Sequence, residues 1–169
     1  MAQDPLGLRE TPNAAKRNMD TKQNEIQLRK QLRDLFNSQR FGVLATLEQT
    51  HPYLNLVAFA ETDDLRSIFF ATTRATRKYS NLSSKSGVAM LVDNRSNEVA
   101  DLRHAIAVTI IGTATELEGN EKLDGERIYL AKHPHMKEFL ASPTTALITL
   151  QIRTCYVVSR FQNVTVLNL

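Results

Sequence analysis

Thr72, Thr73, Arg74, Thr76, Arg77 and Lys78 crowd hydroxyls and cations into one short stretch of "SIFFATTRATRKYSNL". The stretch lies where an apolar, strand-like run stops and a short helical pattern starts. Thr76 sits where a helix N-cap belongs, with Arg77, Lys78 and Tyr79 in the first turn. A first turn carries backbone N–H groups without partners and a partial positive charge. Cations placed there oppose that dipole unless an anion neutralises them. A phosphate would do so, accepting from the amides, from the Thr72 and Thr76 hydroxyls and from the fork of Arg77, with Arg74 assisting or gating. The competing reading is a solvated basic turn with Lys78 extended into water. Tyr79 and Leu82 are three apart and are expected to pack together on the body of the protein.

Other residues with chemical potential are fewer. Asn94 and Arg95 end an apolar run. Arg95 suits either an anion contact or a solvated turn. His133 and His135 flank Pro134, which keeps them off a common helical face, and no acidic or cysteine partner stands at ligand spacing, so no metal is expected. Cys155 is the single cysteine, which rules out an intrachain disulfide and points to a reducing compartment, the cytoplasm. At the start of a strand it reads as a small buried apolar residue. No Ser-His-Asp set and no carboxylate pair is arguable.

These residues need a scaffold, and the hydrophobic pattern outlines one. Residues 1–20 are polar, contain two prolines and read as a flexible tail. From Thr21, Ile26, Leu28, Leu32, Leu35 and Phe36 recur at helical spacing, for roughly five turns ending before Phe41. Strand-like runs follow at 41–47, 53–60, 66–73, 87–93, 104–117, 146–152 and 155–169. Two short helices broken near Pro134 fall between the runs at 104–117 and 146–152. Gly112 inside a long run predicts a bulge or sharp bend. Short turns between successive strands argue an antiparallel sheet, and about seven strands close most readily into a barrel. Residues 21–169 thus form one mainly β domain with an N-terminal helix. The chain is 42% hydrophobic, enough for one core, and its net charge of +3 weakly favours an anionic ligand. The cations cluster at one turn instead of alternating with aromatics along strands, which disfavours nucleic acid. No apolar run approaches the ~20 residues that span a bilayer.

The stretch from Phe41 to Leu117, with Thr72 and then Thr76-Arg77-Lys78 after the third strand, resembles the FMN-binding split-barrel family related to pyridoxamine 5′-phosphate oxidase. The resemblance implies an antiparallel split β-barrel and a homodimer with FMN at the subunit interface. It implies that Thr72, Thr73, Arg74, Thr76, Arg77 and Lys78 hold the FMN phosphate. It also implies that Asn55, Leu56, Val57, Ala58 and Phe59 frame the isoalloxazine, and that Asn94 and Arg95 lie near the flavin from either subunit. A nicotinamide or deazaflavin electron donor would fit. Asn55 and Ala60 stand near places where the oxidase is cationic, and "AVTIIG" replaces a polar run, with Ala107 and Thr109 at the polar positions. Vitamin B6 oxidation is therefore not expected. The implied function is an FMN-dependent oxidoreductase with another substrate. The alternative is a flavin- or haem-binding carrier or sensor without turnover.

Overall fold

The computed structural model describes residues 12–160 and 163–169, with side chains from Lys22 onward. Seven strands form one antiparallel sheet: β1 Phe41–Glu48, β2 His51–Glu61, β3 Ser67–Thr73, β4 Gly87–Asp93, β5 Ile106–Glu116, β6 Thr145–Ser159 and β7 Asn163–Asn168. Their order is β3-β2-β1-β4-β5-β6-β7, and a further β3–β6 pairing closes the first six into a barrel. β6 makes the closure possible because it is 15 residues long. Its first half pairs with β3 over Thr145–Gln151, and its second half carries β7 over Thr154–Ser159.

Alternation of apolar residues decides which face of each strand points inward. Leu44, Val57, Phe59, Ile68, Phe70, Met90, Val92, Val108, Ile110 and Ile148 are buried in one cluster. Each such side chain contributes roughly 1.5–3 kcal/mol by leaving water. Helix α1, Pro12–Ser38, adds Leu28, Leu32, Leu35 and Phe36 to the same cluster. The Phe36 and Phe59 rings meet edge-to-face at 5.9 Å. Helices α4, Gly119–Lys132, and α5, Lys137–Ala141, cover a second cluster. It holds Ala60, Phe69, Leu117, Tyr129, Leu140 and Leu147. A single 3₁₀ turn at Pro134–Met136 separates the two helices, as the position of Pro134 predicts.

The expected bulge lies at Gly112. The β5–β6 register shifts between Ile111 and Gly112, leaving Arg153 as the extra residue on β6. A Cβ on Gly112 would stand 2.0 Å from the Gln151 carbonyl oxygen, so no other residue fits. That bulge explains one departure from the sequence reading. The runs at 146–152 and 155–169 are not two strands divided near Arg153. They are one bent strand followed by a hairpin and β7, and residues 161–162 of that run lie outside the described residues. A second departure is at the amino end. Helix α1 begins at Pro12, so part of the segment expected as a tail is helical, and residues 1–11 lie outside the described residues. Pro at the first helical position followed by Ala14, Ala15, Lys16 and Arg17 favours a helix without any apolar period. A short helix α3, Asp101–His104, interrupts the β4–β5 connection.

Candidate functional site

Helix α2, Arg77–Ser84, starts four residues after β3 ends. Thr76 caps it: its backbone is extended and its Oγ1 accepts from the Tyr79 amide at 3.4 Å. The same hydroxyl donates to the Thr73 carbonyl at 2.9 Å and lies 2.9 Å from Thr72 Oγ1. A hydroxyl has one proton, so Thr76 gives its own to Thr73 and accepts that of Thr72. Thr72 is 2% exposed. The hydroxyl pair therefore braces the turn from behind. The open donors are in front: the Arg77 and Lys78 amides have no backbone partner among the described residues.

The three cations of the stretch have different surroundings. Arg74 is occupied. It donates to the Pro143 carbonyl at 2.7 Å and the Thr145 carbonyl at 3.1 Å, and it forms an ion pair with Glu116. Arg77 reaches the other way. Its guanidinium lies 5.5 Å above the Tyr53 ring and 3.5 Å from a Glu48 carboxylate oxygen. That contact is exposed and weak, so it leaves the fork free to rearrange. Lys78 pairs with no carboxylate among the described residues. Partial burial pushes its ammonium below the usual lysine range. An unpaired, partly desolvated cation beside unpartnered amides and a helix dipole of the same sign is a site that an anion would stabilise.

Beside it runs an open strand edge. β2 pairs with β1 over His51–Ala58. It pairs with β3 only over Phe59–Glu61. Residues 51–58 thus have a strand on one edge and none on the other: β3 pairs with β2 only at Ile68–Phe70 and runs on to Thr73 paired with β6 alone. A planar polar group could take up main-chain bonds there. The β2 residues are disposed unequally toward it. Leu56 is 68% exposed, whereas Val57 and Phe59 are buried in the barrel core. The backbone of Phe59 is also engaged, donating to the Arg40 carbonyl at 3.2 Å and accepting from His133 Nε2 at 2.8 Å. Asn55 Oδ1 is buried without a hydrogen-bond partner.

Asn94 and Arg95 do not join this site within one chain. They follow β4, which is three strands from β3 either way round the six-stranded barrel. Asn94 Oδ1 accepts from the Ile106 amide at 2.7 Å, and Arg95 pairs with Asp93. His133 lies in the core with Nε2 against the Phe59 carbonyl, and burial pulls its pKa down. Burial likewise pushes the Cys155 thiol up to about 11, so it is not a nucleophile at neutral pH. Three site-shaping residues escaped the sequence reading: Glu48, Tyr53 and Glu116. They come from other strands, and nothing in their local spacing marks them.

The family described as pyridoxamine 5′-phosphate oxidase matches residues 28–159. The chain belongs to this family. Solved structures carry the same fold. A heme-binding protein from Mycobacterium smegmatis superposes with a TM-score of 0.71 at 18% identity, over 79% of this chain and 55% of that one. General stress protein 26 from Bacillus anthracis gives 0.64 at 20% identity, over 84% and 98%. A FAD-binding protein from Mesorhizobium loti gives 0.59 at 16%, over 73% and 88%. The chain spans about half the length of the Mycobacterium protein. No curated protein matches it in sequence. The fold is thus shared with proteins named for haem and for flavin.

Proposed function

We propose that this chain is an FMN-binding oxidoreductase of the pyridoxamine 5′-phosphate oxidase-like group, acting on a substrate other than pyridoxamine phosphate. One observation carries the reading: unpaired Lys78 and the open Arg77 and Lys78 amides stand at a braced helix start, next to the unpaired edge of β2. The phosphate sits at that helix start, held by Arg77 and Lys78 over the Thr72–Thr76 brace. The isoalloxazine lies along residues 55–58, with Leu56 against the ring and the main chain toward its polar edge. When bound, the flavin supplies hydride or electron transfer. The chain's own residues bind the phosphate, orient the ring and keep its inner face dry.

The protein acts as a homodimer. Its outer sheet face supports this. Leu56, Val43, Leu91, Thr109, Tyr156 and Val166 form one cross-strand row from β2 to β7. All six are at least partly exposed. Such a continuous stripe, apolar except at Thr109, suits a second copy. Dimerisation across it also gives Asn94 and Arg95 a route to the partner's flavin. The single buried Cys155 supports a reducing, cytoplasmic setting, and no helix among the described residues is long and apolar enough to cross a membrane.

The second reading is a flavin or haem carrier, supported by the likeness to the Mycobacterium heme-binding protein. His133 is not open to a haem, since it is buried with Nε2 held by the Phe59 carbonyl. Purified protein should be yellow with flavin absorbance. A Soret band in its place refutes the reading. Replacing Arg77 and Lys78 together by Ala removes two charge-assisted contacts and should weaken FMN binding by about 100-fold or more, checked by fluorescence titration. Anaerobic reduction by NADH or NADPH separates enzyme from carrier.

A further inference from the structure

Arg74 and Tyr79 flank the cap residue Thr76, and both end on one carboxylate. Arg74 Nη2 pairs with Glu116 Oε1, and the Tyr79 hydroxyl donates to Glu116 Oε2 at 2.7 Å. Both oxygens of Glu116 are thereby used. Arg74 is further held by the Pro143 and Thr145 carbonyls. Tyr79 also donates its amide to the cap. Four separate pieces of the fold meet at this point: the β3–α2 turn, the first turn of α2, the end of β5 and the turn into β6. Tyr79 and Glu116 also line a cavity of about 230 Å³ with Leu82 and Ile148, whereas Arg77 points toward β1 and β2.

We infer that Glu116 is a positioning residue: with Arg74 and Tyr79 it clamps the start of α2 and so sets the geometry of the phosphate cradle without touching the phosphate. This rests on the phosphate reading of Arg77 and Lys78. The reason is geometric. The cradle donors are two amides and two flexible cations, and their convergence depends on the turn being rigid. Loosening a turn by a fraction of an ångström is enough to degrade several hydrogen bonds at once. The clamp also neutralises its own charges, so Arg74 adds no net attraction for an anion. Its assignment changes from phosphate ligand or gate to brace.

The test compares FMN with riboflavin, which has the same ring and lacks the phosphate. Affinities are measured by fluorescence quenching of the intact protein, with circular dichroism confirming the fold. Tyr79→Phe keeps every charge and removes one clamp bond, and is expected to weaken FMN by about threefold. The charge-neutral double variant Arg74→Gln with Glu116→Gln is expected to weaken it by about tenfold. Riboflavin affinity stays within about twofold in both, because the ring site is untouched. Glu116→Gln alone is the discriminating variant. Tighter FMN binding there would mean that the released Arg74 grips the phosphate directly, and would overturn the clamp. Unchanged FMN affinity in both Tyr79→Phe and the double variant would overturn it too. If the double variant does not fold, Tyr79→Phe decides alone. Failure of the phosphate reading looks different: the unmodified protein would then bind FMN no better than riboflavin.

Discussion

Lys78 and Lys132 are both partly withdrawn from water, and they are treated in opposite ways. Lys132, at the end of α4, meets the Glu61 carboxylate at 2.7 Å, the Phe36 carbonyl at 2.8 Å and the face of the Phe59 ring at 4.2 Å. It ties α4 to β2 and satisfies a carbonyl at the end of α1. Lys78, at the start of α2, has none of this. Burial lowers the pKa of both, but only Lys132 has a carboxylate pulling it back. A cation that folding has already satisfied is structural. One that folding leaves unsatisfied, beside open amides, is stabilised by something that arrives later.

The comparison is broken most directly at Lys132. Lys132→Ala leaves Glu61 buried without its partner and should destabilise the protein by about 3 kcal/mol in urea unfolding. A loss under about 1 kcal/mol would mean that the pair is solvated like any surface pair.

A smaller effect sharpens the α4 side. His133 is buried against Tyr129 and Phe59, with the Lys132 and Arg40 cations and the His135 ring nearby. Burial, above all, holds its pKa below the ordinary 6.5, against the opposing pull of the Phe59 carbonyl. The unfolded chain therefore takes up this proton at a higher pH than the folded one. The stability is fully present above about pH 6.5 and falls as the pH drops below it, by up to about 1.4 kcal/mol per pH unit. Urea midpoints measured between pH 7.5 and 5 should show this slope, and His133→Gln should flatten it.

The smallest effect concerns Lys78 and has the opposite sign. Lys78→Ala removes an unpaired cation from the positive end of a helix. The ligand-free protein should gain about 0.5 kcal/mol, read as a small rise in Tm, while FMN affinity falls. Loss of stability on this substitution would show that Lys78 has an internal partner and would remove the contrast with Lys132.

Much of the fold was legible from periodicity. The amphipathic stripe Leu28, Leu32, Leu35, Phe36 and the alternation along β1, β3, β4 and β5 mark inward faces without any knowledge of neighbours. Gly112 announced a bulge because a glycine inside a β run has few other uses. The bulge itself was the harder part. Arg153 and Thr154 read as a break between strands, since local pattern does not distinguish a bent strand from two short ones. The start of α1 was misjudged because helix propensity without an apolar period carries little signal.

At the candidate site the division is sharper. Thr76 as a cap, cations in the first turn of α2 and the preceding strand are properties of nearest neighbours, and the sequence alone determined them. Three things were decided only by tertiary structure. Arg74 is held by Glu116, which is 42 residues away in sequence and adjacent in space. β2 has an open edge because its pairing with β3 stops at Phe59, while β3 stays paired with β6 along its whole length. Asn94 and Arg95 are carried to the far side of the barrel by the strand order. Local chemistry follows from short-range sterics and hydrogen bonding, whereas the partner of a charge, or the vacancy beside a strand, depends on which distant segments the closing barrel brings together.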